Sequence, residues 1–367
     1  MTPLAGIKVL DFSTLLPGPL ATLMLAEAGA QVIKIEREAA GDEMRHRRPV
    51  LGAASASFAM LNGGKRSIAI DLKAPGAIAR LTPLLAVADV LVEQFRPGVM
   101  VRLGLGYDAV RAINPRIIYC SLTGYGQHGD RSQRAGHDLN YLAESGITSL
   151  VVGADGVPPL PPGPIADLVG GSYPLVINVL LALMQRERSE TGCFLDIAMA
   201  DNLAPLGYWA LARGLSDGSW PQPNADAITG GLARYRHYRT RDGRFIAVGA
   251  LEEKFWRGFC DLIELPEDDR DDRAHPAKTI EAVAAIIAGQ DAAHWQRLFE
   301  ARDICCSVVK TMQEAAAGLA NGHHRLAAQG QAMPALPLPM ADAVRLPAGT
   351  RDVPLLGEAN ALLGQSP

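Results

Sequence analysis

Residues 7–37 read IKVLDFSTLLPGPLATLMLAEAGAQVIKIER, and this stretch decides the fold class of the chain. An apolar strand at 7–13 is followed by a helix at 19–30, which ends in Gly-Ala, and by a second apolar strand at 31–37. A strand, a helix and another strand in so short a span predict a parallel βαβ unit.

The alternation of strands and helices continues to about residue 126. SIAIDLK (67–73), DVLVEQF (89–95) and RIIYCSLTGYG (116–126) are further strand patterns, and Pro75 opens a helix that runs to about Val87. The pattern predicts an α/β protein with a large, doubly wound parallel-sheet domain. In such sheets ligands bind beyond the carboxyl ends of the strands, so the loops after these strands are the place to look for a site.

A different pattern begins near residue 231. RYRHYRTRDGRFIAVGAL (234–251) contains two strand-like runs around Asp242-Gly243, which is typical of a hairpin, and helical patterns follow at about 253–264, 277–289 and 291–302. The segment PEDDRDDR (266–273) reads as a solvated loop. We therefore expect a small α+β domain, and divide the chain into a large domain at 1–200, a linker at 201–230, the small domain at 231–325, and a linker with a C-terminal segment returning to the large domain at 326–367.

Composition excludes several classes of function. The 367 residues include 35 basic and 39 acidic side chains, a net charge of −4, so we expect no nucleic-acid partner. No stretch approaches 18 uninterrupted apolar residues and the N-terminus lacks a signal-peptide pattern, so we expect no membrane partner and a cytoplasmic location. The five cysteines form no C-x-x-C pair and are expected to be reduced. We expect no metal, since the adjacent histidines 323–324 are too close to converge on one ion.

Basic residues recur at the ends of the predicted strands, and a glycine motif follows one of them. Scattered arginines usually form solvated surface, but recurrence at strand ends would also suit a polyphosphate ligand. GYGQHG (124–129) matches a dinucleotide fingerprint, but a loop, DRSQRAG, follows where a helix should open, so its glycines more plausibly form a turn. The basic residues are Arg37, Arg45, Arg47, Arg48, Lys65, Arg66, Lys73, Arg96 and Arg102.

Two polar stretches are candidates for chemistry. RAGHDLNYLAESG (134–146) places an imidazole, a carboxylate and a phenol within five residues where a loop turns into a helix. The group either caps a helix end or faces a substrate. In VPPLPPGPIADLVGGS (157–172) a stiff, proline-rich loop precedes Asp167, which lies at the start of a long apolar helix. Asp167 is either a helix N-cap or a rigidly held functional carboxylate beside two small glycines.

These motifs together resemble those of the family III CoA-transferases, the superfamily that includes formyl-CoA transferase, carnitine CoA-transferase and α-methylacyl-CoA racemase. The resemblance covers nearly the whole chain. It rests on GIKVLDFS with LPGP, AEAGAQVIKIER, NGGKRSIAIDLK, DVLVEQFRPGVMVRLGLGY, NPRIIYCSLTGYGQHG, AGHDLNYLAESG, IADLVGGS and RYRHYRTRDGRFIAVGALEEKF.

The resemblance implies an interlocked homodimer that processes an acyl-CoA thioester. Coenzyme A would be part of the substrate, and no permanently bound cofactor is expected. The nucleotide end of the ligand would meet strand-end residues, and the loop that begins at Gly136 would lie along the pantetheine and the thioester. The residues implied in CoA binding are Arg37, Ile70, Asp71, Leu72, Lys73, Gln94, Phe95, Arg96, Arg102, Gly136, Asp138 and Tyr141.

The resemblance also implies two alternative chemistries. In racemases an aspartate matching Asp167 works opposite a histidine matching His137, whose partner glutamate matches Glu252. One base on each face would remove and return the α-proton through an enolate. In transferases the same aspartate attacks the thioester, and an aspartyl anhydride and then an aspartyl-CoA form.

The motifs favour the racemase, with CoA transfer as the alternative. His137 and Glu252 lie in their matching motifs, and the region AITGGLARYRHY (227–238) has only two adjacent glycines, where transferases have a glycine-rich loop. Two departures point the other way. DLVGGS differs from the D-F-G-G-G expected of a racemase, and the segment 48–63 is longer than a racemase needs.

Overall fold

The computed structural model describes residues 2–318 and 324–364, which group into two compact units. The first unit contains the described parts of Met1–Ser145, Pro161–Pro205 and Leu319–Pro367, and the second contains Gly146–Leu160 and Leu206–Gly318. The linker expected at 201–230 therefore divides between the units, and residues 146–160 group with the second unit. The sequence-based domain ranges themselves stay a prediction.

Strands and helices alternate in the first unit, as its sequence predicts. In chain order its first part contains β1 (Lys8–Asp11), α1 (Pro17–Glu27), β2 (Gln31–Glu36), β3 (Val50–Leu51), β4 (Ala54–Ser55), α2 (Ala56–Asn62), β5 (Arg66–Ala69), α3 (Ala77–Val87), β6 (Val90–Glu93), α4 (Val99–Arg102), α5 (Tyr107–Ile113), β7 (Ile118–Thr123), α6 (Asp138–Glu144), α7 (Tyr173–Ser189) and β8 (Phe194–Ala198).

Six strands form one parallel sheet in the order β5-β2-β1-β6-β7-β8. The chain starts in the middle of this sheet, adds β2 and β5 on one side, and then returns to add β6, β7 and β8 on the other. The sheet is therefore doubly wound, and its topological switch point lies between β1 and β6. Ligands of such sheets bind outside the carboxyl ends of the strands at this point.

Helices cover the parallel sheet because most residues of its central strands are apolar and buried. β6 and β7 are buried at every residue. Leu81 and Leu85 of α3 and Val110 of α5 pack against Leu10 and Leu91 in one core cluster. Helix α1 packs against β1, β2 and β6, helix α7 packs against β7 and β8, and α1 shares a second core cluster with α2.

One expected helix start is wrong by two residues. Proline favours a first turn, but here α3 begins at Ala77, two residues after Pro75. Gly76 occupies the N-cap with φ 78°, a left-handed conformation that glycine adopts without strain. The chain therefore needs a turn between the strand-end segment and α3, which the proline alone does not signal.

The second unit contains the predicted hairpin and helices. Its elements are α8 (Tyr208–Asp217), β9 (Tyr235–Arg239), β10 (Phe245–Gly249), α9 (Glu253–Leu262), α10 (Pro276–Ile287), α11 (Ala292–Glu300), β11 (Cys306–Val308) and α12 (Met312–Ala317). β9 and β10 pair in an antiparallel arrangement around Asp242-Gly243, and β11 adds on the other side of β10.

The segment 266–273 is only partly the solvated loop that its charges suggested. Asp272 is fully buried and pairs with the guanidinium of Arg234 at 2.6 Å. A buried charge requires a buried partner, and this pair supplies it. The sequence could not show this pairing because Arg234 lies 38 residues away.

The described part of the C-terminal segment groups with the first unit and has strands of its own. β12 (His324–Ala328) pairs antiparallel with β13 (Gln331–Pro334) and parallel with β14 (Gly349–Asp352). Residues 358–364 then run beside β5. The backbone N–H of Ala359 donates to the Ser67 carbonyl at 2.8 Å, and the N–H of Ala69 donates to the Asn360 side-chain oxygen at 2.8 Å.

Among the described residues, one continuous helical stretch, Ala166–Ser189, has the length (24 residues) and mean hydropathy (1.6) to cross a bilayer. The buried share of its most apolar 18-residue window is 39%. It lies against α1, β7 and β8, and Arg186 in its last turn is buried and pairs with Asp89 at 2.7 Å. A core helix passes the same length test as a membrane span, so the finding is weak evidence for one.

Candidate active site

Two adjoining pockets of the first unit lie at the switch point. The smaller, with a volume of about 390 Å³, is lined by residues after β1, β6, β7 and β8 and by the beginning of α6. The larger, about 1110 Å³, is lined by residues after β1, β2, β5 and β6. Phe95 contributes to both pockets. Both therefore lie where a doubly wound sheet binds ligands.

The smaller pocket brings together most of the residues predicted to act on a thioester. Asp167 and His137 line it together, although they are 30 positions apart in the chain. The other predicted residues that line it are Gln94, Phe95, Arg96, Gly136 and Tyr141. We call this the thioester pocket.

Asp167 lies in a π-helical turn and is not a helix N-cap. The turn Ala166–Ser172 runs directly into α7, and Asp167 is its second residue. Few helices contain a π-helical turn, and those turns that do occur often lie at functional sites. A Cβ on Gly170 would lie 2.3 Å from the carbonyl oxygen of Met199, so only glycine fits there, and the hydroxyl of Ser172 donates to the Pro17 carbonyl at 2.8 Å. These contacts fix the turn that presents the Asp167 carboxylate.

His137 stands at the N-cap position of α6 and also lines the thioester pocket, whereas its contact with a substrate stays a prediction. Its backbone N–H donates to the side-chain oxygen of Asn140 at 3.0 Å, which is one half of a capping box at this helix end. The Tyr141 hydroxyl donates to the Gly136 carbonyl at 2.7 Å. A Cβ on Gly124 would approach that hydroxyl to 2.5 Å, so the glycine after β7 makes room for the tyrosine ring.

Asp138 connects the two candidate bases. Its carboxylate accepts a hydrogen bond of 3.0 Å from the backbone N–H of Asp167. Burial and the nearby charge of Asp138 raise the pKa of Asp167 to about 6, against a lowering influence of His137. Burial and the charges of Asp167 and Asp138 raise the pKa of Tyr141 to about 12. The Asp167 carboxylate therefore binds a proton more readily than an ordinary aspartate does.

The larger pocket collects the residues predicted for the nucleotide end of coenzyme A, and we call it the nucleotide groove. Ile70, Asp71, Leu72 and Lys73 line it with Arg37, Phe95 and Arg102. Arg37 is exposed and forms an ion pair of 2.6 Å with Glu43. Three basic side chains on one groove provide a surface that phosphate oxygens can pair with.

Two of the basic residues considered as phosphate ligands have a different role. Lys65 is fully buried, and its ammonium group contacts the carboxylate of Asp11 at 3.1 Å. Arg45 pairs with Glu36 at 2.7 Å and lies over the ring of Phe58. The polyphosphate interpretation is therefore wrong for these two residues, since internal carboxylates already occupy them.

Sequence reasoning missed a row of buried carboxylates at the carboxyl ends of neighbouring strands. They are Asp11 on β1, Glu36 on β2 and Glu93 on β6. Burial would raise the pKa of Asp11, but the charges of Lys65 and Lys34, with hydrogen bonds from hydroxyl groups, lower it to about 2. An acidic residue ending an otherwise apolar strand is the signal that could have identified them.

Glu252 lies in the second unit, where it is the N-cap residue of α9 and is exposed. Its pairing with His137 stays a prediction. The five cysteines are free thiols. Within residues 2–318 and 324–364, no three histidine, cysteine or acidic side chains group as metal ligands. Of the adjacent histidines, His323 lies outside the described residues.

The loop after β7 confirms that GYGQHG is not a dinucleotide fingerprint. No helix opens in or directly after this motif, and α6 begins only at Asp138. Gly126 and Gly129 have φ values of 82° and 85°, which explains the glycines as turn residues.

The sheet carries a pocket at its switch point that is lined by an aspartate and a histidine, and the chain belongs to the enzymes of CoA-transferase family III, whose sequence profile matches residues 4–360. The chain is 36% identical over 317 residues to the α-methylacyl-CoA racemase of Mus musculus, covering 85% of this chain and 79% of that one. It is 32% identical over 323 residues to the succinyl-CoA:glutarate CoA-transferase of the same species, covering 86% and 73%.

Solved structures share the fold over the whole chain. The orthorhombic form of Rv3272 from Mycobacterium tuberculosis superimposes with a TM-score of 0.83 at 30% identity, covering 99% of both chains. A CaiB/BaiF family protein from Brucella suis gives a TM-score of 0.81 at 28% identity, covering 98% of both. The α/β fold with a six-stranded parallel sheet and smaller sheets is thus that of the family. Its relatives are racemases and CoA-transferases.

Proposed function

We propose that this enzyme inverts the α-carbon of a 2-methylacyl-CoA by proton transfer between Asp167 and His137. The observation that carries the proposal is that both side chains line one pocket, next to a groove that carries three basic residues. An α-proton beside a thioester is acidic enough to be removed only if a base is positioned against it.

In the proposed reaction one of the two groups removes the α-proton, and the electron pair of the C–H bond moves into the thioester carbonyl to form an enolate. The other group then protonates the α-carbon on the opposite face. The raised pKa of Asp167, about 6, suits this exchange, because the carboxylate is ionised at neutral pH yet accepts a proton easily. Either epimer can enter, since the two groups exchange roles.

The N-terminal turn of α6 supplies donors for the enolate oxygen in this proposal. The first N–H groups of a helix have no partner within the helix, and those of Asp138 and Leu139 follow directly after His137, whereas the N–H of Asn140 already donates to the His137 carbonyl. Donors placed where charge develops stabilise the transition state more than the ground state. Glu252 would orient His137 by accepting its second N–H.

For binding, we propose that the phosphates of coenzyme A contact Arg37, Lys73 and Arg102 of the nucleotide groove. The pantetheine would then pass Phe95, which borders both pockets, and bring the thioester to Asp167. No resident cofactor takes part in this proposal.

CoA transfer is the alternative function, and the same pocket accommodates it. Asp167 would attack the thioester carbonyl and release CoA thiolate, which gives an acyl-aspartyl anhydride. The thiolate would then form an aspartyl-CoA and release the free acid, and a second acid would complete the exchange. The similarity to succinyl-CoA:glutarate CoA-transferase, at 32% identity, favours this alternative.

We further propose that the enzyme is a homodimer of the cytoplasm that needs neither nucleic acid nor membrane. Exposed apolar side chains support a partner chain, since large exposed apolar surface marks interaction sites. On α7, Ile177, Leu181 and Met184 are 56%, 58% and 67% exposed. Light scattering at micromolar concentration should give twice the chain mass, whereas a stable folded monomer contradicts the proposal.

Incubation of a 2-methylacyl-CoA in D₂O distinguishes the two chemistries. The racemase should incorporate deuterium at the α-carbon and interconvert the epimers, and His137→Ala should reduce this rate by a factor on the order of 10²–10⁴. Glu252→Gln should reduce it less. A transferase should show no α-exchange, and hydroxylamine added after the acyl-CoA should leave a hydroxamate on Asp167. A hydroxamate on Asp167 without deuterium exchange at the α-carbon would overturn the racemase proposal.

A further inference from the structure

Glu93 differs from the other buried carboxylates at the strand ends because no cation neutralises it. Asp11 pairs with Lys65, and Glu36 pairs with Arg45. Glu93 is only 3% exposed, and among the described residues no ion pair includes it. An isolated buried carboxylate costs stability, so its presence requires an explanation.

The contacts of Glu93 point to the segment that follows it. Its carboxylate accepts a hydrogen bond of 2.8 Å from the backbone N–H of Phe95 and another from the hydroxyl of Ser121 on β7. The side-chain amide of Gln127 donates to that hydroxyl at 2.6 Å. Glu93 therefore links β6 and β7 to the loop between the two pockets.

Residues 94–97 border the thioester pocket, and one of them also borders the nucleotide groove. Gln94, Phe95, Arg96 and Pro97 line the thioester pocket, and Phe95 also lines the nucleotide groove. The side-chain oxygen of Gln94 accepts a hydrogen bond of 3.1 Å from the N–H of Gly18. The segment is thus held at its first residue by α1 and at its second residue by Glu93.

We propose that Glu93 is a positioning residue whose carboxylate fixes residues 94–97 and thereby aligns bound acyl-CoA between the nucleotide groove and the thioester pocket. This inference rests on the proposed function, because it takes an acyl-CoA as the ligand. Glu93 acts through the backbone N–H of Phe95 and does not contact the ligand.

The ionisation of Glu93 gives this role a measurable signature. Burial and the like charge of Asp196 on β8 raise its pKa to about 7, although the hydrogen bonds from Ser121 and Phe95 lower it. Its other titratable neighbours, Tyr119 and Cys120 on β7, have pKa values raised by burial and stay neutral. The ionised form, which predominates above pH 7, is the better acceptor for the Phe95 N–H.

The test compares coenzyme A binding to wild type and Glu93→Gln by calorimetry between pH 6 and 8.5. Glutamine keeps an acceptor and does not titrate. We expect the dissociation constant of the variant to exceed that of wild type about tenfold at pH 8, and the ratio to fall toward 1 at pH 6. Taking the ratio cancels the titration of the coenzyme's own phosphate. Glu281→Gln, an exposed residue of α10, is the control and should follow wild type.

A constant ratio of 1 across the pH range overturns the positioning role. If Glu93→Gln does not fold, Ser121→Ala, which removes one hydrogen-bond donor and leaves Glu93 in place, should weaken binding about threefold at pH 8, and no change overturns the proposal. If wild type does not bind coenzyme A, the proposed function fails as well. If wild type binds coenzyme A tightly and the ratio of the two dissociation constants is 1, only the positioning role of Glu93 is overturned.

Discussion

Asp138→Asn should shift the pH dependence of the enzyme without disturbing the site. The backbone N–H of Asp167 donates to a side-chain oxygen of Asp138 at 3.0 Å, and asparagine retains that oxygen. What the substitution removes is the negative charge, which is one of the two causes that raise the pKa of Asp167 to about 6. The variant therefore separates the electrostatic influence of Asp138 from its geometric one.

The size of the shift follows from Coulomb's law. Two carboxylates on either side of one such hydrogen bond are roughly 6 Å apart, and at an effective dielectric of about 40, suited to a partly exposed pair, they repel by roughly 1.4 kcal/mol. That energy corresponds to about one pKa unit. Burial, the larger cause, remains in the variant, so the pKa of Asp167 should fall only part of the way to its usual value.

The assay is the rate of α-proton exchange, as kcat/KM, between pH 4.5 and 9. Asp167 accepts the proton in its ionised form, so the wild-type rate should fall as the pH drops through about 6. In Asp138→Asn the fall of kcat/KM at acidic pH should occur about one pH unit lower. The maximal kcat/KM, reached at higher pH, should stay within severalfold of wild type. Asp130→Asn removes an equal charge from an exposed loop position and should leave the fall at its wild-type pH.

Asp138→Ala completes the comparison, because it removes both the charge and the acceptor. The maximal kcat/KM of Asp138→Ala should be lower by a further factor of about 10, because the turn that presents Asp167 loses the hydrogen bond from its backbone N–H to residue 138. A fall of kcat/KM at acidic pH that stays in place in Asp138→Asn, or that moves to higher pH, would refute the electrostatic argument.

Three further outcomes follow from the structure. Asp167→Asn should abolish activity yet raise the free energy of unfolding at pH 8 by roughly 1–2 kcal/mol, after allowance for partial exposure. The gain should vanish at about pH 3, because the raised folded-state pKa costs stability only where the unfolded-state carboxyl ionises, which begins near its usual pKa. Urea denaturation at both pH values measures this, and equal gains contradict it. Arg37→Ala and Arg102→Ala should each weaken coenzyme A binding and reduce its salt dependence in titrations at two ionic strengths, and tight NADH binding without coenzyme A binding would contradict the ligand class. Lys65→Met should destabilise the protein by about 3–5 kcal/mol, since it leaves Asp11 buried without its ion-pair partner. A decrease in the free energy of unfolding, measured by urea denaturation, of less than about a third of that would contradict the argument.

The sequence predicted the parallel sheet well because apolar periodicity and short connections determine it locally. The predicted strands at 7–13, 31–37 and 116–126 contain β1, β2 and β7, and the hairpin at Asp242-Gly243 is confirmed. The predicted boundaries were too wide, since hydrophobic residues continue past the last paired residue into the loops that bear the site.

The features that sequence could not predict depend on partners far along the chain. Nothing near Lys65 reveals that it is buried against Asp11, 54 positions away. The π turn at Asp167 depends on the approach of Met199 to Gly170, and the raised pKa of Asp167 depends on Asp138. The resemblance indicated the candidate site residues, whereas their pKa shifts depend on burial and on neighbours that only the folded structure brings together.

The return of the C-terminal segment to β5 has a consequence for biosynthesis. β5 is an edge strand of the parallel sheet, and the groups that cover it, Ala359 and Asn360, leave the ribosome about 290 residues after it. Until then the edge next to the nucleotide groove remains open to pairing with another chain. A nascent chain therefore completes its second unit before it can finish its first, and chaperone dependence should be greatest in that interval.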